Sequence, residues 1–301
     1  MNSLVTKAAA WLRRRPALAR MALRCVPDMR KTIQLDQLGP FVIRLRRNRS
    51  WWLRNPMENE RKVFGYLKRF VRPGDVAYDV GANIGLYSRY LVDVCDAGRV
   101  AAFEPMSENL DLLRRNIEID ARAKDRVLLV NAALGDSDGS ESLQIDDVMS
   151  ASAVLDSVTG GRPSQGRAQV GLAAKTETVR VARLDTLMSD TAQALPPPRL
   201  IKVDIEGAEL MMLRGATQTL RKHRPILIIE LHERPEVSAG VIELLESLGY
   251  HIFSEVIGED GRSATHRRVT PDDARRATNY VIHYLIASCE LSDVAEPIST
   301  G

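Results

Sequence analysis

The stretch Val76-Ala-Tyr-Asp-Val-Gly-Ala-Asn-Ile-Gly85 decides the fold, because an extended apolar run ends there in a glycine turn that opens into a helix. Val76, Ala77, Tyr78 and Val80 read as a buried strand, with Arg72-Pro-Gly-Asp75 as the turn before it. Gly81 and Gly85 let bare backbone approach a ligand, and Leu86 to Val94 continues with helical periodicity. The Gly-x-x-x-Gly spacing differs from the Gly-x-Gly-x-x-Gly of dinucleotide sites, whose second glycine admits a pyrophosphate. Asp79, two positions before the first glycine, would repel a phosphate and attract an ammonium or sulfonium group.

A second strand, Arg99-Val-Ala-Ala-Phe-Glu104, also ends in an acid, followed by Pro105 and a helix from Ser107. Glu104 lies roughly 20 residues beyond the glycine turn, where a ribose-binding acid is expected. Two carboxylate oxygens can accept both hydroxyls of a ribose. Alone, Glu104 is equally a solvated strand end. Beside Asp79 and the glycines it points to a cationic nucleoside, and S-adenosylmethionine, with no phosphate, fits this loop better than NAD.

The 301 residues suffice for one large α/β domain with an appended segment. Hydrophobic residues make up 45% and charged residues 27%, as in soluble globular proteins, and no apolar run approaches a membrane-spanning length. Cys25, Cys95 and Cys289 are widely spaced and form no metal-site pattern, which fits a reducing cytosol. The net charge of +3 is unevenly spread: residues 1–54 hold 13 Lys or Arg against two acids, a net +11, leaving −8 for the rest. Arg13-Arg-Arg15, Arg20, Arg24 and Arg30 among Leu, Ala and Trp11 predict a basic amphipathic helix, either packed on the main domain or touching acidic lipid headgroups or an anionic glycan. Its low acid content also resembles a transit peptide. The expected location is cytoplasmic, with peripheral contact at the inner membrane face.

Residues 1–72 read as a basic amino-terminal extension, with a short strand at Phe41–Leu45 and a helix from Asn59 to Phe70. From Pro73 a catalytic unit runs to residue 290, followed by a polar tail at 291–301. Its order is strand 76–80, helix 85–95, strand 99–104, helix 107–119 and strand 127–131, an alternation that demands a parallel sheet. Residues 146–177 lack periodicity and are expected to form a mobile lid or insertion. Val179–Leu184 is extended, Leu200–Asp204 and the very apolar Pro225–Leu231 are strands, and helix 237–248, strand 250–256 and strand 280–287 complete the unit.

Leu200-Ile-Lys-Val-Asp-Ile-Glu-Gly-Ala-Glu209 brings Lys202, Asp204, Glu206 and Glu209 to the carboxyl end of a central strand, where ligands of open α/β sheets bind. If that strand lies beside the first, Asp204 faces the glycine loop. Glu206 and Glu209 equally fit the acidic first turn of the following helix. Glu230-Leu-His232 ends the next strand with a carboxylate and an imidazole on one face. His232, with an unperturbed pKa near 6.5, could take a proton from an attacking hydroxyl. Alternatively Asp204, Glu230 and His232 could share a divalent cation such as Mg2+ that acidifies it.

Asp79-Val-Gly-Ala-Asn-Ile-Gly85, Phe103-Glu-Pro105, Asn131-Ala-Ala-Leu-Gly-Asp136, Ile201-Lys-Val-Asp-Ile-Glu-Gly-Ala-Glu209 and the strand from Arg224 through Glu230 together resemble the FkbM family of S-adenosylmethionine-dependent methyltransferases, over roughly residues 73–256. The resemblance implies an α/β, Rossmann-like class I methyltransferase fold with a seven-stranded, mostly parallel sheet. It also implies O-methylation of a hydroxyl on a sugar, glycolipid or polyketide. Asp79, Gly81, Asn83 and Gly85 would line the methionine end, Glu104 would take the ribose, and Asp136 would lie near the adenine. The basic extension and residues 146–177 fall outside the matched pattern and are expected to set the acceptor.

The expected reaction is in-line displacement at a sulfonium methyl group, with Asp204 or His232 assisting deprotonation and Lys202 stabilising an alkoxide or an acidic acceptor. A small-molecule or glycan acceptor is expected, and homo-oligomerisation is compatible with the chain. An NAD-dependent reductase is the rival enzyme, disfavoured by the missing middle glycine and by Asp79. A non-catalytic membrane-surface or glycan-binding protein is the rival of another class, marked by salt-sensitive liposome binding without methyl transfer. Nucleic-acid binding is not expected, since stacking aromatics among the basic residues are confined to Trp51-Trp52.

Overall fold

The computed structural model describes residues 27–48, 51, 55–147, 152–169, 171–192, 194–232, 234–257, 264–276 and 282–290. The basic helix expected before residue 27 and the tail at 291–301 lie outside them. In chain order, the hairpin strands are β1 (Arg30–Leu35) and β2 (Gly39–Arg44), followed by β3 (Val76–Val80), β4 (Arg99–Phe103) and β5 (Val127–Val130). Next come β6 (Ala133–Leu134), β7 (Gly139–Asp146), β8 (Ser152–Leu155) and β9 (Thr176–Ala182). The last five are β10 (Leu200–Val203), β11 (Ile226–Glu230), β12 (His251–Ile257), β13 (Ala264–Arg268) and β14 (Ile282–Ser288).

The main sheet has the order β13-β12-β14-β11-β10-β3-β4-β5. β5, β4, β3, β10 and β11 are parallel, and β14 runs antiparallel to both its neighbours. The reversal of strand order between β3 and β10 is the switch point at which open α/β sheets bind ligands. The sheet thus exceeds the seven expected strands by one. The added edge strand β13, Ala264-Thr-His-Arg-Arg268, has no apolar alternation that would announce it, and a charged edge discourages further pairing. A second, four-stranded sheet of order β6-β9-β7-β8 takes in part of the aperiodic 146–177 stretch, where β8 and the short helices Asp156–Thr159 and Gln165–Gln169 form.

Strand alternation sorts the core onto two faces. Tyr78, Val80, Ile201, Val203, Leu227 and Ile229 pack under the helices Glu209–Arg214, Thr217–His223 and Pro235–Ser247. Ala77, Val100, Leu200 and Ile228 face the helices Arg61–Phe70, Leu86–Asp93 and Ser107–Glu118. The β1–β2 hairpin joins this second core through Phe41 and Ile43, both fully buried, and Trp51 stacks on Phe41 at 5.5 Å. Polar staples hold it there. Buried Asn116 accepts from Val42 N at 2.6 Å and donates to Val42 O at 3.0 Å and Ile84 O at 2.8 Å. Buried Arg89 donates to Leu38 O at 2.6 Å and Asn116 O at 2.8 Å, and pairs with Asp93 at 2.7 Å. Through Ile84, the hairpin is tied to the glycine turn. Among the described residues, no helix is long and apolar enough to cross a membrane.

Candidate active site

The end of β3 and the end of β10 meet closely enough to dictate the residue at position 81. Gly81 has φ +81, and a Cβ there would sit 1.9 Å from the Asp204 carbonyl oxygen. Only glycine permits that contact. Gly85, at φ +95, caps the helix Leu86–Asp93, and its bare α-carbon packs on Leu113. Two non-glycine residues, Asn83 (φ +51) and Glu206 (φ +54), hold left-handed backbone in the facing loops after β3 and β10. Such strain concentrates where the surrounding structure imposes a working geometry.

Between these loops opens a cavity partly open to solvent. Its walls include Gly81, Asn83, Phe103 and Glu104 on one side and Asp204, Ile205 and Glu206 on the other. Ala132, Ala133 and Leu134 close one end, and Leu143, Ala153 and Leu155 of the second sheet also line it. Glu104 is 5% exposed and accepts from Asn83 N at 2.8 Å and Met106 N at 2.9 Å, with a further hydrogen bond from the Asn109 side chain. Burial outweighs these donors and pushes its carboxyl up to about 8. Each carboxylate oxygen keeps further lone-pair capacity toward the cavity, which a ribose diol would use. An acid, apolar walls and bare glycine backbone therefore fit a nucleoside.

Behind the cavity lies a charged cluster on the opposite side of β3 and β10. Asp79 and Lys202 sit in register on adjacent parallel strands. Asp79 is wholly buried, accepts from Ser88 Oγ at 2.6 Å, and has Lys202 Nζ 3.7 Å from its other oxygen, which receives no hydrogen bond. Burial raises its pKa against the pull of Lys202. Lys202, 2% exposed, also reaches Asp204 Oδ2 at 3.2 Å and lies 4.1 Å from the centroid of the Tyr87 ring. Burial would lower its pKa, but Asp204, Asp79 and Glu230 outweigh that and hold it charged. Tyr87 in turn hydrogen-bonds Glu60 at 2.6 Å.

His232 occupies the rim of this cluster. Its Nδ1 lies 2.9 Å from Glu209 Oε1, and its Nε2 is 3.3 Å from Glu206 and 3.9 Å from Asp204. Burial would lower its pKa, yet the Glu209 hydrogen bond and the nearby carboxylates raise it well above 6.5. The imidazole is therefore more basic than its type suggests, and mostly protonated at neutral pH. Glu230, cross-strand from Tyr284 and hydrogen-bonded to it, is pushed up by burial and by Asp204. Asp204, Glu230 and His232 each offer one ligand atom, all within 4.8 Å of one another.

The residues named from sequence thus divide into layers. Gly81, Asn83, Glu104 and Asp204 line the cavity, while Asp79, Lys202, Glu230 and His232 form the charged layer beside it. Gly85 serves helix packing. Asp136, implied to lie near the adenine, is exposed and is not among the cavity's lining residues; beside it Gly135 N bonds to Ala182 O and turns the chain into the second sheet. Ala153 and Leu155 fall in the 146–177 stretch expected as a lid or insertion, whereas Asn109, Leu143, Tyr87, Glu60 and Tyr284 are not singled out by the sequence. Those residues carry no motif and arrive through tertiary packing.

The switch-point cavity, with a glycine turn after β3 and an acid after β4, is that of a Rossmann-like, nucleoside-binding α/β protein. The sequence profile of the methyltransferase FkbM domain matches residues 79–252, more than half of the chain, and the chain belongs to that family. The hexuronic acid methyltransferase AglP of Haloferax volcanii is 27% identical over 182 residues, 60% of this chain and 66% of that protein. The AMB antimetabolite synthetase AmbE of Pseudomonas aeruginosa is 28% identical over 216 residues, 62% of this chain but 10% of that protein. The chain therefore spans less than two thirds of either relative. The methyltransferase sdnD of Sordaria araneosa is 27% identical over 190 residues, 58% of this chain and 73% of that protein. Among solved structures, the methyltransferase FkbM of Methylobacillus flagellatus aligns over 77% of this chain and 60% of that one, at 17% identity and a TM-score of 0.43.

Proposed function

We propose that this methyltransferase uses S-adenosylmethionine to methylate a hydroxyl oxygen on a sugar, glycolipid or polyketide-type acceptor. One observation carries the proposal: a single cavity runs from the buried Glu104 carboxyl to Asp204 and Glu206, beside His232 and Lys202. Glu104 would hold the ribose, Gly81 and Asn83 the methionine side, and the apolar walls at Leu134, Leu143 and Leu155 the adenine. Bound there, the donor supplies an electrophilic methyl group on a sulfonium.

The chain's own groups then align and deprotonate the acceptor. Holding the hydroxyl in near-attack geometry can supply roughly 7 to 11 kcal/mol. Asp204, between Lys202 and His232, would take the hydroxyl proton as the acceptor oxygen gains the methyl group that the sulfonium gives up as a neutral thioether. Lys202 and His232, both held cationic, stabilise the oxygen's developing negative charge. Asp204→Asn should lower kcat by about 100-fold or more while leaving the affinity for S-adenosylhomocysteine within a factor of a few. Unchanged turnover would remove Asp204 from the chemistry.

A second reading rests on the convergence of Asp204, Glu230 and His232. These three could hold a divalent cation that acidifies the hydroxyl, the donor set suiting an N/O-liganded metal. Activity lost to EDTA and restored by Mg2+ or another divalent ion would support it, and EDTA-insensitive turnover would retire it.

A further inference from the structure

The loop after β10 contains an acid whose contacts are wrong for a helix cap. Glu209 opens the helix Glu209–Arg214, where an acidic residue is ordinarily exposed and interacts with the amides of the first turn. Here it is 1% exposed, and its Oε1 faces backward, accepting from Gly207 N at 2.9 Å. The same oxygen lies 2.9 Å from His232 Nδ1, on the loop after β11, 23 residues away. The left-handed pair Glu206 (φ +54) and Gly207 (φ +101) makes this possible by turning the Gly207 N–H toward the acid. A backbone N–H and an imidazole nitrogen from separate loops therefore meet on one buried oxygen.

We infer that Glu209 is a positioning residue: it accepts the Nδ1–H of His232 and thereby fixes the ring orientation that turns Nε2 toward Asp204 and Glu206. This rests on the methyl-transfer reading for its functional consequence, because Nε2 faces the residues that handle the acceptor oxygen. An imidazole free in water favours the proton on Nε2, and a hydrogen bond from Nδ1–H to a carboxylate reverses that preference. The pairing also holds the ring at a fixed angle, as outer partners of functional histidines do. Its strongest structural competitor, a purely stabilising contact, would leave kcat unchanged when the carboxylate is removed.

Two measurements test the inference separately. In the first, long-range 1H–15N NMR of the 15N-histidine-labelled protein, assigned with His232→Asn and recorded where the ring is neutral, should show His232 protonated on Nδ1. An Nε2–H tautomer would overturn the inference, whatever the enzyme's reaction proves to be. In the second, Glu209→Leu should lower kcat on the order of 10-fold to 100-fold, with S-adenosylhomocysteine affinity within twofold of wild type. Glu209→Gln, which keeps an acceptor oxygen and guards against a misfolded Leu variant, should retain the Nδ1–H tautomer and fall between the two. Wild-type kcat in Glu209→Leu, or a loss of cofactor affinity matching the loss of kcat, would make the contact structural only. An Nδ1–H tautomer in a protein that transfers no methyl group would instead leave the positioning intact and refute the proposed reaction.

Discussion

At the scale of single residues, the site is governed by carboxyl groups whose environments differ sharply. Glu104 has its carboxyl pushed up to about 8 by burial, so in the free protein it holds a proton at neutral pH. Accepting both ribose hydroxyls favours the carboxylate, since a protonated acid gives up an acceptor site. Nucleoside affinity should therefore rise with pH up to about 8, by at most about tenfold per pH unit, and level off above it. Titration calorimetry with S-adenosylhomocysteine from pH 6 to 9 checks this, and Glu104→Gln should bind weakly with little pH dependence. Lys202 is under a different constraint, being the cation nearest the unbonded oxygen of wholly buried Asp79. Lys202→Met should cost about 3 to 5 kcal/mol in urea unfolding, and adding Asp79→Asn should recover most of it. These acids were legible in the sequence because each ends a strand. The Glu209–His232 contact was not, because it joins two loops and depends on the left-handed backbone at Glu206 and Gly207.

At the scale of elements, close approach between loops and cross-element staples do most of the positioning. Gly81→Ala would drive a Cβ into the Asp204 carbonyl at φ +81, so the ends of β3 and β10 must separate. The expected outcome is loss of S-adenosylhomocysteine binding together with a lowered melting temperature, and a variant that binds normally would show the contact to be pliable. Asn116→Ala removes three hydrogen bonds between the hairpin, the helix Ser107–Glu118 and the glycine turn. A loss of about 2 to 3 kcal/mol, with faster hydrogen exchange in residues 30–44, is expected. The parallel strands themselves could be read because each is an apolar run, while the placing of β10 beside β3 comes from the structure. β6, β8 and β13 could not: they are short or polar, and form because neighbouring strands offer them hydrogen bonds.

At the scale of the whole molecule, the fold brings the Glu104–Asp204 cavity and a charged cluster together between β3 and β10, where the parallel strands reverse their order. The β1–β2 hairpin shares the sheet's core, and Glu60 reaches Tyr87 beside Lys202, so sequence outside the family-matched residues 79–252 contributes to the surroundings of the site. The second sheet adds Leu143, Ala153 and Leu155 to the cavity wall. The most direct test of methyl transfer is mass spectrometry of cell extract incubated with the protein and S-adenosylmethionine carrying a deuterated methyl group. An O-linked product bearing the label, lost with Glu104→Ala and with Asp204→Asn, is the predicted result. No labelled product from any extract, in a protein that binds NADH and not S-adenosylhomocysteine, would contradict it.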